Sequence, residues 1–135
     1  DEESLVAFMK RVVTLIGSPG YPNPPDYLDE RLRAMVRRAW HPDGTLRQLL
    51  AVVADGDRSP MLGRIRTPTL VLHGQDDPLV PVAAAHDLAA KIRDARSEII
   101  PGMGHDLPLG LLPRLAAEIA SHAEAFGGSA TAAPR

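Results

Sequence analysis

The strongest constraint on the fold is a short apolar run, PTLVLHG, at residues 68–74. Proline and glycine bound it, and it is too short for a stable helix, so it predicts a strand buried in a parallel sheet. An alanine-rich segment at 82–95 follows and predicts a helix, and SEIIP at 97–101 predicts a second strand. A strand-helix-strand unit of this length pairs its strands in parallel, so the expected fold class is α/β.

The N-terminal part of the chain has a helical pattern instead. Apolar side chains recur there at helical spacing and predict three helices, at residues 3–16, 27–40 and 45–54. Asp26 has the position of an N-cap for the second helix. The loops are predicted at GSPGYPNPP (17–25) and HPDG (41–44). A last helix is predicted at 110–126, and GGSATAAPR (127–135) predicts a flexible tail.

Composition excludes several classes of function. The 135 residues are 44% hydrophobic and 24% charged, and the formal net charge is −2, so no basic excess points to nucleic acid or to an anionic membrane. Without cysteine the chain has no disulfide and no thiolate metal site. No apolar run reaches the ~18 residues of a membrane span. The chain starts at Asp1 rather than methionine, which leads us to expect residues upstream, and we expect a cytoplasmic protein.

Two loops that follow the predicted strands carry acid and base side chains. GQDDPLVP (74–81) contains Asp76 and Asp77, and PGMGHDLP (101–108) contains His105. The carboxyl ends of adjacent parallel strands meet at one edge of the sheet, where ligands bind in such folds. A carboxylate on one loop can therefore orient an imidazole on the next, as in nucleophilic triads. Histidine suits a base because its ordinary pKa of about 6.5 lies near neutral pH.

Other interpretations of these residues remain open at this stage. His105 alone is compatible with a solvated loop histidine, and Asp76 competes with Asp77 for the role of the acid. His73 precedes a glycine at a strand end, where a structural role is the simpler interpretation. A metal site would gather His73, Asp77, His105 and Asp106, but their spacing does not match a known metal motif.

TPTLVLHGQDDPLVP followed by IIPGMGHDLP resembles the C-terminal third of an α/β-hydrolase. The segment GMGHDLP is most similar to esterases of the aclacinomycin-methylesterase kind. In that family a Gly-x-x-Asp-x-x-Val-Pro loop supplies the acid and a Gly-His loop supplies the base, which implies Asp77 and His105 here. The resemblance also implies that residues 1–60 form a helical cap and that residues 61–126 form the C-terminal part of the core.

The family's nucleophile, a serine in Gly-x-Ser-x-Gly, has no match in this sequence. Ser18 and Ser59 are each followed by proline, which has no N–H to stabilise an oxyanion, and Ser129 lies in the predicted tail. We therefore expect the C-terminal segment of an esterase that needs no cofactor and is inactive alone. Lactone, epoxide or carbon–carbon bond hydrolysis and cofactor-free peroxidation use similar loops.

The alternative is a non-catalytic, hydrolase-like fragment that acts as a binding module or subunit. A sheet of two apolar strands leaves an unpaired edge, so we expect a partner there. The partner is either the N-terminal half of the same hydrolase or a second copy of the chain. The expected substrate of the parent enzyme is a small, apolar, ester-like molecule. Residues that can line its pocket are concentrated in the predicted cap, at Tyr21, Tyr27, Met35 and Trp40.

Overall fold

The computed structural model describes residues 1–127. Three helices come first: α1 (Glu2–Ile16), α2 (Pro25–Arg38) and α3 (Pro42–Asp55). The rest of the chain contains α4 (Ser59–Leu62), β1 (Leu70–Gly74), α5 (Val82–Lys91), β2 (Arg96–Ile100), a 3-10 turn at Leu109–Leu111 and α6 (Leu112–Gly127). The predicted tail, apart from Gly127 at the end of α6, lies outside the described residues.

The strands β1 and β2 form a parallel pair, joined through α5, as the sequence predicts. Leu70 pairs with Arg96, and the pairing continues without a bulge to Gly74 opposite Ile100. Both strands therefore end at the same level, which brings the two following loops side by side. The prediction of burial holds only in part, because most of β1 is half-buried. Within residues 1–127 the sheet has two strands, so each strand has one neighbour.

Several helix boundaries predicted from the sequence are wrong. Asp26 is not an N-cap, because α2 begins one residue earlier at Pro25, and Asp26 lies in its first turn. Proline is favoured at that first position because its fixed φ suits the helix. It also has no N–H, and an N–H there would find no partner within the helix. For the same reason α3 begins at Pro42, inside the predicted turn, and the unpredicted α4 has a proline in its first turn.

The helix α5 ends at Lys91, four residues before the predicted end. Ile92 leaves the helix in an extended conformation and is buried, with 6% of its surface exposed. Asp94 then adopts a positive φ of 56°, a conformation that aspartate tolerates better than most residues. Burial of Ile92 outside the helix therefore overrides the helical propensity of the segment.

The core lies where β2 meets the turn and helix that follow it. It consists of Ile100, Met103, Leu111 and Leu115, with Tyr21 and Leu72 packed against it. Tyr21 belongs to the connection between α1 and α2, so the N-terminal part of the chain contributes to this core. The segment on either side of the histidine loop is thus anchored by buried apolar side chains.

The helices α1 and α2 pack against each other, whereas α3 does not bury a side chain. Val6 and Leu32 are buried in the first two helices. Around them, ion pairs join α1 to α2: Lys10 to Asp29, Arg33 to Glu3, and Arg37 to Glu2. In contrast, α3 has no buried residue, and five aliphatic side chains on it are more than half exposed: Leu46, Leu49, Leu50, Val52 and Val53.

We expect Ile100→Ala to lower the free energy of unfolding by about 2–5 kcal/mol, because the side chain is fully buried and its removal leaves a cavity. Urea denaturation followed by circular dichroism measures the change. Ile119→Ala on α6 is the matched control, since that side chain is 56% exposed, and it should change the stability by no more than about 0.5 kcal/mol. Equal losses of stability in both variants would contradict the position of Ile100 in the core.

Candidate active site

The loops that follow β1 and β2 are hydrogen-bonded to each other. The Gln75 N–H donates to the carbonyl of Ile100 at 3.0 Å, and the Asp76 N–H donates to the carbonyl of Met103 at 2.9 Å. The Asp76 carboxylate accepts from the Gly102 N–H at 2.7 Å. Asp76 therefore shapes the loop backbone, and the structure does not bring it to His105.

Asp77 is the acid that lies beside His105. Its Oδ2 is 2.8 Å from Nδ1 of His105. An ionised carboxylate only accepts hydrogen bonds, so Nδ1 carries the proton, and Nε2 is the basic nitrogen of the neutral ring. The Asp77 side chain is 4% exposed and the His105 side chain is 39% exposed. A buried acid thus holds one side of an imidazole that is open on the other.

The environment of Asp77 favours its charged form. Burial is the largest single influence and by itself raises the pKa, because it disfavours the charge. The second oxygen, Oδ1, accepts from the backbone N–H groups of Val80 at 2.9 Å and Leu79 at 2.8 Å. Together with the hydrogen bond and charge of His105, these donors outweigh burial and hold the pKa of Asp77 below its ordinary value.

His73 supplies a second imidazole near Asp77. Its Nε2 lies 2.9 Å from the Val80 carbonyl, which can only accept, so this nitrogen carries the proton. The distance from the same nitrogen to Oδ2 of Asp77 is 3.8 Å, beyond hydrogen-bond range. His73 therefore fixes the end of the acid loop, in agreement with its interpretation as a structural residue.

The close approach of the loops requires glycine at two positions. A Cβ on Gly74, the last residue of β1, would overlap the carbonyl oxygens of Met103 and Gly104. A Cβ on Gly104 would overlap the carbonyl oxygen of Gly17 in the connection between α1 and α2. The residue before His105 is thus pressed against both the acid loop and the N-terminal part of the chain.

Three polar residues near His105 form a hydrogen-bonded group that the sequence did not predict, although it offered Ser18 as a possible nucleophile and Asp106 as a possible metal ligand. Ser18 donates to Oδ1 of Asp106 at 2.6 Å and accepts from the Gly104 N–H at 2.9 Å. Asn23 donates to Oδ2 of Asp106 at 3.1 Å. Ser18 and Asn23 are short polar side chains in a connection otherwise made of glycine, proline and one tyrosine. These two polar side chains in such a connection were the feature of the sequence that could have indicated the contact.

A cleft of about 440 Å³ lies between this connection and the two loops. The neighbours of the acid and base line it, namely Asp76, Pro78 and Asp106, together with apolar residues of α1 such as Val13 and Leu15. Among the four residues expected in a substrate pocket, Tyr21 lines this cleft, whereas Tyr27, Met35 and Trp40 are not part of its wall.

Within residues 1–127, no three histidine, aspartate or glutamate side chains are grouped so that they could hold a metal ion. Over the same residues, no helix combines the length and the apolar character needed to cross a membrane.

The comparison with protein families agrees with the geometry. Residues 4–109 match the family model of the α/β hydrolase fold, which is well over half of the chain. The chain belongs to the α/β-hydrolase family. The predicted fold class is thereby confirmed, and so is the resemblance to this family drawn from the two loop motifs.

Curated relatives of this chain include methylesterases and a dienedioate hydrolase. Rhodomycin D methylesterase of Streptomyces sp. (strain C5) is 43% identical over 68 residues, which are 50% of this chain and 23% of that protein. A 2-hydroxy-6-oxononadienedioate/2-hydroxy-6-oxononatrienedioate hydrolase of Paraburkholderia xenovorans is 35% identical over 81 residues, 59% of this chain and 28% of that protein. The chain thus matches about a quarter of the length of these relatives.

A solved structure has the same fold. The serine hydrolase CarC, involved in carbazole degradation, superposes with a TM-score of 0.66 at 21% identity, over 89% of this chain and 47% of that chain. The arrangement of helices and parallel strands in this hydrolase chain is therefore one that occurs within a larger α/β-hydrolase.

We expect the stability of the chain to fall as the pH drops through the lowered pKa of Asp77. The charged form is favoured in the folded state, so its contribution is fully present above the ordinary pKa of 3.8 and is lost below it. Urea denaturation between pH 7 and pH 3 measures this loss, which should be smaller in Asp77→Asn but not abolished, because the pKa values of Glu2, Glu3, Asp29 and Asp57 are also lowered in the folded chain. Asp94→Asn, which removes an exposed carboxylate, should retain it. Identical pH profiles for Asp77→Asn and the unaltered chain would contradict the assignment.

Proposed function

We propose that this chain carries the acid and the base of a serine-dependent ester hydrolase. His105 is the base that takes and returns the proton of the nucleophile, and Asp77 orients it. The supporting observation is the 2.8 Å hydrogen bond between a buried, ionised Asp77 and Nδ1 of a half-open imidazole. This geometry leaves Nε2 as the nitrogen that faces reacting groups.

The reaction needs a serine that these 135 residues do not supply in a Gly-x-Ser-x-Gly turn. Its hydroxyl would attack the ester carbonyl while His105 accepts the proton at Nε2. The imidazolium, stabilised by Asp77, would then donate that proton to the leaving alcohol. Water would then attack the acyl-serine ester while His105 accepts its proton at Nε2. His105 would return that proton to the serine oxygen as the acid is released. Ser18 is a poor candidate for the nucleophile, because it is buried and its hydroxyl already donates to Asp106.

The substrate class proposed is a small, neutral, apolar ester. A methylesterase is among the relatives with the higher identity, at 43%. The cleft beside His105 is apolar over most of its wall, and the charged residues in it are both acidic, Asp76 and Asp106. An anionic substrate would be repelled there, whereas a neutral ester would not. In this proposal residues 1–60 form the cap above the site, and residues 61–126 form the C-terminal part of the core.

The test uses the complete protein that contains this chain. We expect His105→Ala to lower turnover of a neutral methyl ester by about 10⁴-fold or more, because the serine then has no base. Labelling by a fluorophosphonate, which reacts with activated serines, should fall in parallel. His86→Ala is the matched control, since His86 is exposed on α5 and does not line the cleft beside His105. Near-full activity of His105→Ala would end the proposal.

A second candidate is a non-catalytic subunit that binds a partner. The apolar side chains that α3 leaves exposed and the half-buried strand β1 favour it. The proposed partner is the N-terminal half of the same hydrolase, or a second copy of the chain that pairs along the sheet edge.

Light scattering after size-exclusion chromatography tests this second candidate. We expect the isolated chain to elute as a species of at least twice its 14.5 kDa mass, because pairing buries the apolar edge. Leu50→Lys on α3 should leave the mass unchanged if the sheet edge alone forms the contact. A single, monodisperse species of 14.5 kDa at high concentration would contradict pairing with a second copy of the chain.

A further inference from the structure

The backbone around His105 is attached to the end of α1 through three consecutive residues. The Gly104 N–H donates to Oγ of Ser18 at 2.9 Å, and the His105 N–H donates to the carbonyl of Ile16 at 2.8 Å. Asp106 accepts from the Ser18 hydroxyl at 2.6 Å. Ser18 therefore binds the residue before His105 and the residue after it with one hydroxyl group.

Asn23 extends the same attachment toward the 3-10 turn. Its amide donates to Oδ2 of Asp106 at 3.1 Å, and its carbonyl oxygen accepts from the Leu109 N–H at 2.8 Å. Both oxygens of the Asp106 carboxylate are thus occupied by side chains of the connection between α1 and α2. The histidine loop is held at its middle and at its far end by residues that lie more than 80 positions earlier in the chain.

Burial gives these hydrogen bonds their weight. Ser18 is 6% exposed, and its bond to the Gly104 N–H lies in the interior. Water cannot readily replace a partner there, so loss of the hydroxyl would leave a buried donor and part of a carboxylate unsatisfied. The ends of the histidine loop have other anchors, because Met103 and Leu111 belong to the core. Loss of Ser18 should therefore shift the backbone at His105 while the core holds.

We propose that Ser18, Asn23 and Asp106 are positioning residues for His105, which they aim by fixing the backbone of residues 104–106 to the connection between α1 and α2. The proposal rests on the proposed function of His105 as the base. None of the three residues is a hydrogen-bond partner of Asp77, which bonds to His105 and to its own loop. Their contribution is the angle and distance at which the imidazole meets the serine and the ester.

Steady-state kinetics of Ser18→Ala and Asn23→Ala in the complete protein give the first readout. Both variants should lower kcat by about 10- to 100-fold with little change in KM, the cost of a misplaced catalytic group. Separate values of kcat and KM are informative because Ser18, Asn23 and Asp106 also line the cleft, where they could bind substrate. If KM rises while kcat is unchanged, the residues bind substrate, and the positioning proposal is wrong.

The second readout does not depend on activity. In protein labelled with ¹⁵N-histidine, the Nδ1–H of His105 should give a downfield proton signal, identified by its loss in His105→Ala. We expect this signal to broaden or shift in Ser18→Ala and Asn23→Ala, since the bond to Asp77 lengthens when the loop moves. Ser59→Ala is the matched control, because that serine also precedes proline and its hydroxyl accepts a hydrogen bond, from Lys91 at 3.0 Å.

The outcomes separate this proposal from the proposed function. Full activity of His105→Ala overturns the role of His105 as the base and, with it, the positioning proposal. A large loss in His105→Ala combined with an unaltered signal and unaltered kcat in Ser18→Ala and Asn23→Ala overturns only the positioning. If Ser18→Ala does not fold, Asn23→Ala decides, because it keeps the buried serine and its bond to Gly104.

Discussion

The spacing between two adjacent parallel strands is the constraint on which the site depends. Paired strands lie about 4.8 Å apart, and here β1 and β2 end opposite each other at Gly74 and Ile100. The chain leaving one strand therefore runs beside the chain leaving the other. Because Gly74 lacks a side chain, the second loop can fold directly over the end of β1. Asp77 and His105 meet as a result of this packing, although 28 positions separate them in the sequence.

Sequence reasoning reached the parts of this arrangement that depend on local patterns. The apolar runs, the helix between them and the polar residues just after each run were enough to place acid and base at one edge. Choosing Asp77 over Asp76 needed the family spacing, and the structure brings Asp77 to His105. Helix limits were less predictable, because the end of α5 is set by burial of Ile92 and the starts of α2 and α3 by proline.

The attachment of the histidine loop to the N-terminal connection was beyond sequence reasoning for a different reason. Ser18 could be examined only as a possible nucleophile, and Asp106 only as a possible metal ligand. Their partners are fixed by how a loop of glycines and prolines lies on another loop, and no periodicity encodes that contact. Asp77 shows the same limit, since the pKa of this buried carboxylate is held low by His105 and by two backbone donors of its own loop, Val80 and Leu79.

The connection between α1 and α2 also bears on how related sequences can vary in length. Connecting loops usually tolerate insertions, because they run over the surface and make few contacts with the rest of the fold. Residues 16–23 are an exception, since hydrogen bonds at Ile16, Ser18, Gly20 and Asn23 join this short stretch to the histidine loop. An added residue there would displace at least one of these contacts. The segment between α3 and β1 has no such attachment to the site, so insertions should accumulate there instead.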